Sequence, residues 1–406
     1  MGKELSILYV GSAIPDTRET HAIQGLSLAG HYAELGIVEG LYKSGSEIEV
    51  VSYRPYTYYP REKVLFKKGG RSRLIGGLDC HLMPLINIYP LRNFVRNIYL
   101  FFYIVNWTFR KRNKCRIVIV FNWLFPNFIF LRTLTTILKS KLCPVLMDWL
   151  PMDCNRLSIM QSLTYPMWFR KLSVKSLSLA DAVFPITEHI PEDNFPNMPY
   201  LLVDGGVSQL ILSKLFSLDR VNNNEKFTIF FAGGISVINH IDVLVSYMKN
   251  NQSSDIEMWF AGKGDALQLV LDAQQLDARI KYLGMLPADK LFEYYNKADV
   301  LVSLRDVDDP RLRYYYPSKT LELLCVGKPF ITTNTAHTKR EYGEYCKVLD
   351  DCSVDSFAQA VEFFRNMPVN ERVIYGKRAR EYMLKEHTWI KQGKRMSDFI
   401  KREFAK

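Results

Sequence analysis

The sequence predicts an α/β protein of two doubly wound domains facing each other across a cleft. Its 406 residues exceed what one core comfortably holds, since single cores stop growing near about 250–300 residues. An apolar strand that ends in a small-residue turn, "LSILYVGSAI" (5–14), opens a run of alternating strand and helix. The same opening recurs at "FTIFFAGGIS" (227–236) and starts a second run. Between them lies the polar stretch "DRVNNNEK" (219–226), which reads as a linker.

In the first run, a helical stretch (25–43) leads to the alternating strand "EIEVVSY" (47–53). Residues 54–80, rich in Pro, Tyr, Gly and basic side chains, read as a mobile basic loop. "LRNFVRNIYLFFYIVNWTFRKRNK" (91–114) has an almost wholly apolar centre flanked by Arg and Lys. Its 13-residue apolar core is too short to span a bilayer, which takes about 20 residues. A buried core helix is the plain reading, and a helix lying in a membrane interface is the alternative. "RIVIVFN" (116–122) and "PVLMDWL" (144–150) supply further strands, "SLADAVFPITEHI" (178–190) gives a helix end, a strand and a turn, and "PYLLVDGGV" (199–207) closes this half in an Asp-Gly-Gly turn. In the second run "IEMWFAGKGD" (256–265), "IKYLGML" (280–286), "ADVLVSLR" (298–305) and "PFITT" (329–333) are strands with helices between. The expected domains are 1–204 and 205–385, with a final helix at 386–406 crossing back to the first.

Hydrophobic content of 48% with 23% charged residues excludes disordered and fibrous classes. Residues 1–200 carry 24 Lys and Arg against 15 Asp and Glu, whereas the remainder carries 29 against 27. The positive excess therefore belongs to the first half, which suggests an anionic partner there. The base lies among apolar rather than stacking residues, so a nucleic acid is not expected. Seven scattered cysteines without a C-x-x-C pair suit reduced thiols in the cytoplasm. The N-terminus reads as a strand rather than a signal peptide, and "MGKELS" matches the loose myristoylation pattern at the level of chance.

The segment "YYYPSKTLELLCVGKPFITT" (314–333) carries the chemistry. Pro317-Ser318 starts a short helix, Gly327 stops it, and Pro329 leads into a strand. Leu321, Leu324 and Cys325 form its apolar face, yet Glu322 sits in its first turns. An acid there is favourable beside the helix dipole, or it meets a ligand. Gly233-Gly234 and Gly262 mark strand-end turns where backbone can approach a phosphate. Neither a G-x-G-x-x-G nor a P-loop motif occurs. Asp306-Val307-Asp308 has the spacing of a metal site but is hemmed by arginines and reads as a self-paired loop; no metal or cofactor is expected.

The order "FFAGGI… WFAGKGD… IKYLGML… ADVLVSLR… YPSKTLELLCVGKPFI" resembles the donor domain of the retaining, GT-B glycosyltransferases of the group 1 type. The likeness is closest over 227–333 and leaves 54–115 unmatched. It implies that Glu322 accepts from a ribose diol, that Ser318, Lys319 and Thr320 lie near the diphosphate, and that Gly233 and Gly234 approach it. Gly262 belongs to the same strand-end set, and Gly284 and Met285 fall where the base is held. A second acid common in the family is replaced by Tyr314, and a basic pair after the first glycine turn is missing. Arg305, Arg311 and Arg313 are candidates for the absent positive charge, and His240 is the one cation near that turn. In the first domain Gly11, Ser12, His21, Asp148 and His189 are candidate cleft residues on the acceptor side; His21, Lys319 and Arg305 are the candidates for catalytic roles.

The resemblance thus implies a metal-independent transferase moving a sugar from a UDP- or GDP-type donor to a glycan or lipid-linked acceptor; the cysteines suggest the cytoplasm, and the basic, apolar first half suggests a seat against the inner membrane leaflet. An epimerase or phosphorylase on the same fold, or a non-catalytic nucleotide-sugar-binding protein, stays open beside it.

Overall fold

A computed structural model describes residues 4–149, 166–207, 212, 225–316 and 318–405. Pro317, Cys154, the myristoylation pattern's first residues and most of the 219–226 linker lie outside the described residues. The chain forms two compact units, residues 1–206 together with 389–406, and residues 207–388.

The first unit is built on a seven-stranded sheet. Its elements are β1 (Leu5–Gly11), α1 (Leu28–Lys43), β2 (Glu47–Ser52), β3 (Gly70–Arg73), β4 (Asp79–Leu82), α2 (Leu91–Arg110), β5 (Cys115–Phe121), α3 (Asn127–Ile137), β6 (Lys141–Leu146), α4 (Met167–Leu177) and β7 (Phe184–Pro185). The strand order is β3-β4-β2-β1-β5-β6-β7. All pairings are parallel except β3 with β4. The central strand β1 is buried along its length, as expected where both faces of a parallel sheet are covered.

The basic segment 54–80 differs from its reading as a mobile loop. Gly70–Arg73 pairs antiparallel with Asp79–Leu82, and Phe66–Lys67 pairs with Leu85–Ile86. Gly76 and Gly77, both at positive φ, make the reversal between β3 and β4.

Helix α2 also departs from a simple core helix. Leu100, Ile104, Trp107 and Thr108 are buried, whereas Phe94, Phe102 and Phe109 are 63%, 67% and 68% exposed. Ile98 and Phe101 extend that outer face. The base at its C-terminal end is already paired: Arg110 with Glu49 at 2.7 Å, Lys111 with Glu47 at 2.6 Å, and Lys114 with Glu4 and Glu47 at 3.0 Å.

The second unit repeats the plan with β8 (Phe227–Gly234), α5 (Ile241–Asn250), β9 (Ile256–Lys263), α6 (Leu267–Leu276), β10 (Ile280–Tyr282), α7 (Ala288–Lys297), β11 (Val300–Ser303), α8 (Ser318–Val326), β12 (Phe330–Thr333), β13 (Lys347–Leu349), α9 (Val354–Arg365) and α10 (Val369–Glu386). Its six parallel strands run β10-β9-β8-β11-β12-β13. Counted from the unit's own first strand, that is the 3-2-1-4-5-6 order of a Rossmann sheet, whose ligands lie beyond the carboxyl ends near the switch between strands 1 and 4. Here the switch falls between β8 and β11.

The last helix, α11 (Trp389–Phe404), packs on α1 of the first unit. The approach is close because both helices present glycine. A Cβ on Gly40 would overlap the Trp389 carbonyl, and one on Gly393 would overlap the Gly40 backbone. The Trp389 indole lies against Gly36 and Gly206. We expect Gly40→Ala to destabilise the first unit by about 1–3 kcal/mol through overpacking. Gly70→Ala, with open space at its Cβ, serves as the near-neutral control. Urea unfolding followed by tryptophan fluorescence checks both, and equal midpoints would contradict the packing described.

Candidate functional site

The carboxyl ends of β8 and β9 approach each other more closely than side chains would permit. Gly233 and Gly262 are register partners, and a Cβ on Gly262, at φ +136°, would collide with the Gly233 carbonyl. The Gly262 N–H donates to the Gly284 carbonyl at 3.0 Å, and its own carbonyl accepts from the Tyr282 hydroxyl at 2.8 Å. Gly262 is therefore a packing glycine with its polar groups engaged inside the protein. Gly284, at φ +74°, turns the chain after β10 so that its carbonyl can accept that bond, and Met285 beyond it is exposed. The Gly234 carbonyl accepts from Asn239 Nδ2, which fixes the turn after β8.

Helix α8 starts at Ser318, whose side chain lies outside the described ones. Leu321, Leu324 and Cys325 are buried as their spacing requires. Gly327, at φ +75°, ends the helix, and Arg380 donates to the Cys325 and Val326 carbonyls. This anchoring sets the first turn of α8 against β8. Lys319 Nζ donates to the Ala232 carbonyl and lies 3.1 Å from where a Gly233 Cβ would be. Thr320 is buried with its hydroxyl unpartnered.

Glu322 is half-buried. Burial raises its pKa, an effect opposed by Lys319 and by the Tyr295 hydroxyl, which donates from 3.5 Å. That long bond is its sole hydrogen bond among the described residues. A carboxylate has more acceptor sites than one weak donor can fill. Burial lowers the Lys319 pKa, Glu322 raises it, and Arg305 lowers it further, which puts two cations and one acid in mutual range. Arg305 follows β11; its backbone N–H donates to Thr333 Oγ1 at 2.9 Å, while its side-chain Nε is buried without a partner. Lys319, Arg305, Glu322 and the glycine ends of β8 thus converge at the switch point. Tyr295, which steadies Glu322, carried no sequence signal beyond an aromatic pair on a helix.

Other candidates lie on the segments that follow β8 and β11. Asp306 accepts from the Asp308 backbone at 3.1 Å, closing its own turn, and lies 3.9 Å from His240 Nε2. His240 adopts φ +48° between two helical segments. Tyr314 ends a 3-10 turn, Arg313 is exposed, and the Arg311 side chain lies outside the described ones.

In the first unit the turn after β1 is closed by an acid the sequence reading missed. The Ser12 N–H donates to both Glu34 oxygens at 2.9 and 3.0 Å, the Ser12 hydroxyl joins them, and Tyr9 adds a bond at 3.1 Å. A Cβ on Gly11 would overlap the Glu34 carboxyl. Glu34 is fully buried, and burial pushes its pKa up to about 7 against the pull of Ser12 and Tyr9. An acid in the apolar run of α1 was the available signal. His21 Nε2 meets Asp16 at 2.5 Å, Asp148 accepts from Asn122 at 2.9 Å, and His189 lies 3.3 Å from Glu192.

Comparison with known proteins gives this geometry its class. Residues 226–365 match the family "Glycosyl transferases group 1". That match makes the second unit a group 1 glycosyltransferase domain, and the protein a transferase of glycosyl groups. No curated protein sequence matches the chain. Among solved structures, sucrose-phosphate synthase from Thermosynechococcus elongatus superposes with a TM-score of 0.61 at 14% identity over 98% of each chain. The Anabaena protein HepE in complex with UDP gives 0.60 at 10% identity, over 98% of this chain and 100% of that one. The trehalose-6-phosphate phosphatase N-terminal domain of Candida albicans gives 0.63 at 10%, over 98% and 97%. At these identities the likeness is one of fold, the two-domain GT-B fold.

The raised Glu34 pKa has a definite sign. The folded state holds a proton between the ordinary value of 4.5 and about 7 that the unfolded chain has lost, so stability falls as pH rises through that window. Comparing wild type with Glu34→Gln by denaturant unfolding from pH 4.5 to pH 7.5, we expect the wild type alone to lose on the order of 3 kcal/mol. Parallel curves would show that Glu34 titrates normally.

Proposed function

We propose that the protein transfers a sugar from a UDP- or GDP-type donor to a glycan or lipid-linked acceptor, with retention and without a metal. The observation that carries the reading is Glu322, an under-bonded carboxylate beside Lys319 and Arg305 at the strand switch of a group 1 domain. Its two oxygens suit the vicinal diol of a ribose. Lys319, Arg305 and the first turn of α8 would stabilise the negative charge that grows on the departing diphosphate. The solved HepE complexes with UDP and UDP-glucose support a nucleotide-sugar ligand for this fold. His21, held by Asp16, and Asp148 are the acceptor-side candidates in the first unit. The second acid's replacement by Tyr314 favours binding without turnover as the competing reading, and product analysis with labelled donor separates the two.

In a thermal-shift panel of UDP, GDP, ADP and CMP, UDP or GDP is expected to stabilise the wild type by about 2.7 kcal/mol at a hundred times Kd. Glu322→Ala should abolish most of that gain. Stabilisation by none of the four would defeat the donor reading.

The outer face of α2 supports docking on the cytoplasmic leaflet of a membrane. Phe94, Ile98, Phe101, Phe102 and Phe109 leave apolar surface in water on a unit that also carries the basic hairpin of β3 and β4. No described helix is long and apolar enough to cross a membrane. The ion pairs of Arg110, Lys111 and Lys114 shift the expected grip from those cations to the phenylalanines. We expect Phe94→Glu with Phe102→Glu to reduce flotation with phosphatidylglycerol vesicles about tenfold or more. Neutralising 110–114 should have the smaller effect; the reverse ranking would contradict this docking mode.

A further inference from the structure

We propose that Arg96 and the Trp123 indole N–H form an anion subsite in the first unit, which takes a phosphate or carboxylate group of the acceptor. This rests on the reading of the first unit as the acceptor side. The parts come from three adjacent parallel strands. Ser12 follows β1, Tyr53 follows β2 and Trp123 follows β5, all at carboxyl ends, where ligands of such sheets bind. Helix α2 brings Arg92 and Arg96 to the same place. The Arg96 guanidinium carbon lies 5.2 Å from the Tyr53 ring centre and 4.8 Å from that of Trp123. The two rings meet edge to face at 6.3 Å. Such a clamp holds the planar fork in one orientation, which favours two-point binding of an oxyanion.

What the clamp lacks is a counter-charge. Arg92, one turn earlier, donates to the Tyr56 carbonyl at 2.6 Å and to Asn87 at 2.8 Å. Arg96 makes no hydrogen bond or ion pair with any described residue, and its Nε is buried without a partner. Trp123 Nε1 is buried and unpartnered as well. The acid of this region, Glu34, is taken up by Ser12 and Tyr9. Burial lowers the Arg96 pKa, as expected of a cation withdrawn from water. Native proteins rarely leave buried donors unmet, so two together, one of them on a fixed cation, call for an acceptor that carries charge. A sugar phosphate, a uronic acid and a polyprenyl phosphate share that chemistry.

The test uses the full chain at constant ionic strength, with tryptophan fluorescence titrated by glucose 6-phosphate, glucuronate and citronellyl phosphate. We expect saturable binding of at least one, and the tightest of the three names the source of the anion. Arg96→Gln should weaken it about tenfold or more, Arg96→Lys should fall between, and Trp123→Phe should remove most of the signal. Stabilisation by UDP or GDP should be the same in all variants, which also reports that they fold. No saturable binding, or an unchanged Kd in Arg96→Gln, overturns the subsite and leaves Arg96 a structural brace. Binding through Arg96 in a protein that no nucleotide stabilises keeps the subsite and defeats the donor reading instead.

Discussion

The second unit depends on the contact of bare backbone at the carboxyl ends of β8 and β9. Because Gly262 has no side chain, its backbone can lie against the Gly233 carbonyl. Because Gly233 has none, Lys319 can reach across to the Ala232 carbonyl. These approaches join the first turn of α8 to the central strand, so Glu322 inherits its position from the sheet rather than from a loop. Arg380 secures the other end of the same helix. A site held between a strand end and a pinned helix is oriented before any ligand arrives, and pre-orientation is what makes fixed charges effective.

The two units solve the same topological position in opposite ways. In the first, the turn after β1 is closed from within: Glu34 accepts from the Ser12 N–H and hydroxyl, and a Cβ at Gly11 has no room. The Ser12 N–H and hydroxyl are thereby taken up inside the protein. In the second unit the acid near the turn after β8 is under-bonded, and cations without acid partners stand beside it. On the proposed reading, this charge pattern favours the second unit as the nucleotide side. In the first unit the unpartnered donors lie instead on side chains of neighbouring elements, among them Arg96 on α2.

Helix α2 shows how pairing changes the meaning of a charge count. The first half of the chain is markedly basic, yet Arg110, Lys111 and Lys114 meet Glu49, Glu47 and Glu4. Their fields are largely cancelled at a distance, whereas the phenylalanines on the outer face remain in water. Surface apolar area, more than net charge, distinguishes this side of the unit.

The α/β class and the restart at 227 were legible from the sequence, because buried parallel strands are continuous apolar runs and their ends are marked by glycine. The span of α8 was legible too: Ser318, Gly327 and Pro329 act through local backbone preferences that need no partner. Residues whose roles depend on distant neighbours were not. Glu34 gains its raised pKa from burial beneath a turn 22 residues away. Gly262 reads in sequence as a strand-end turn glycine, and only its register partner Gly233 shows why a side chain has no room there. Arg96 looked like a helix flank until Tyr53 and Trp123 closed around it. Local sequence set the elements and their ends; the tertiary fold decided which charges are paired and which are left for a ligand, because only folding brings together groups that the chain keeps tens of residues apart.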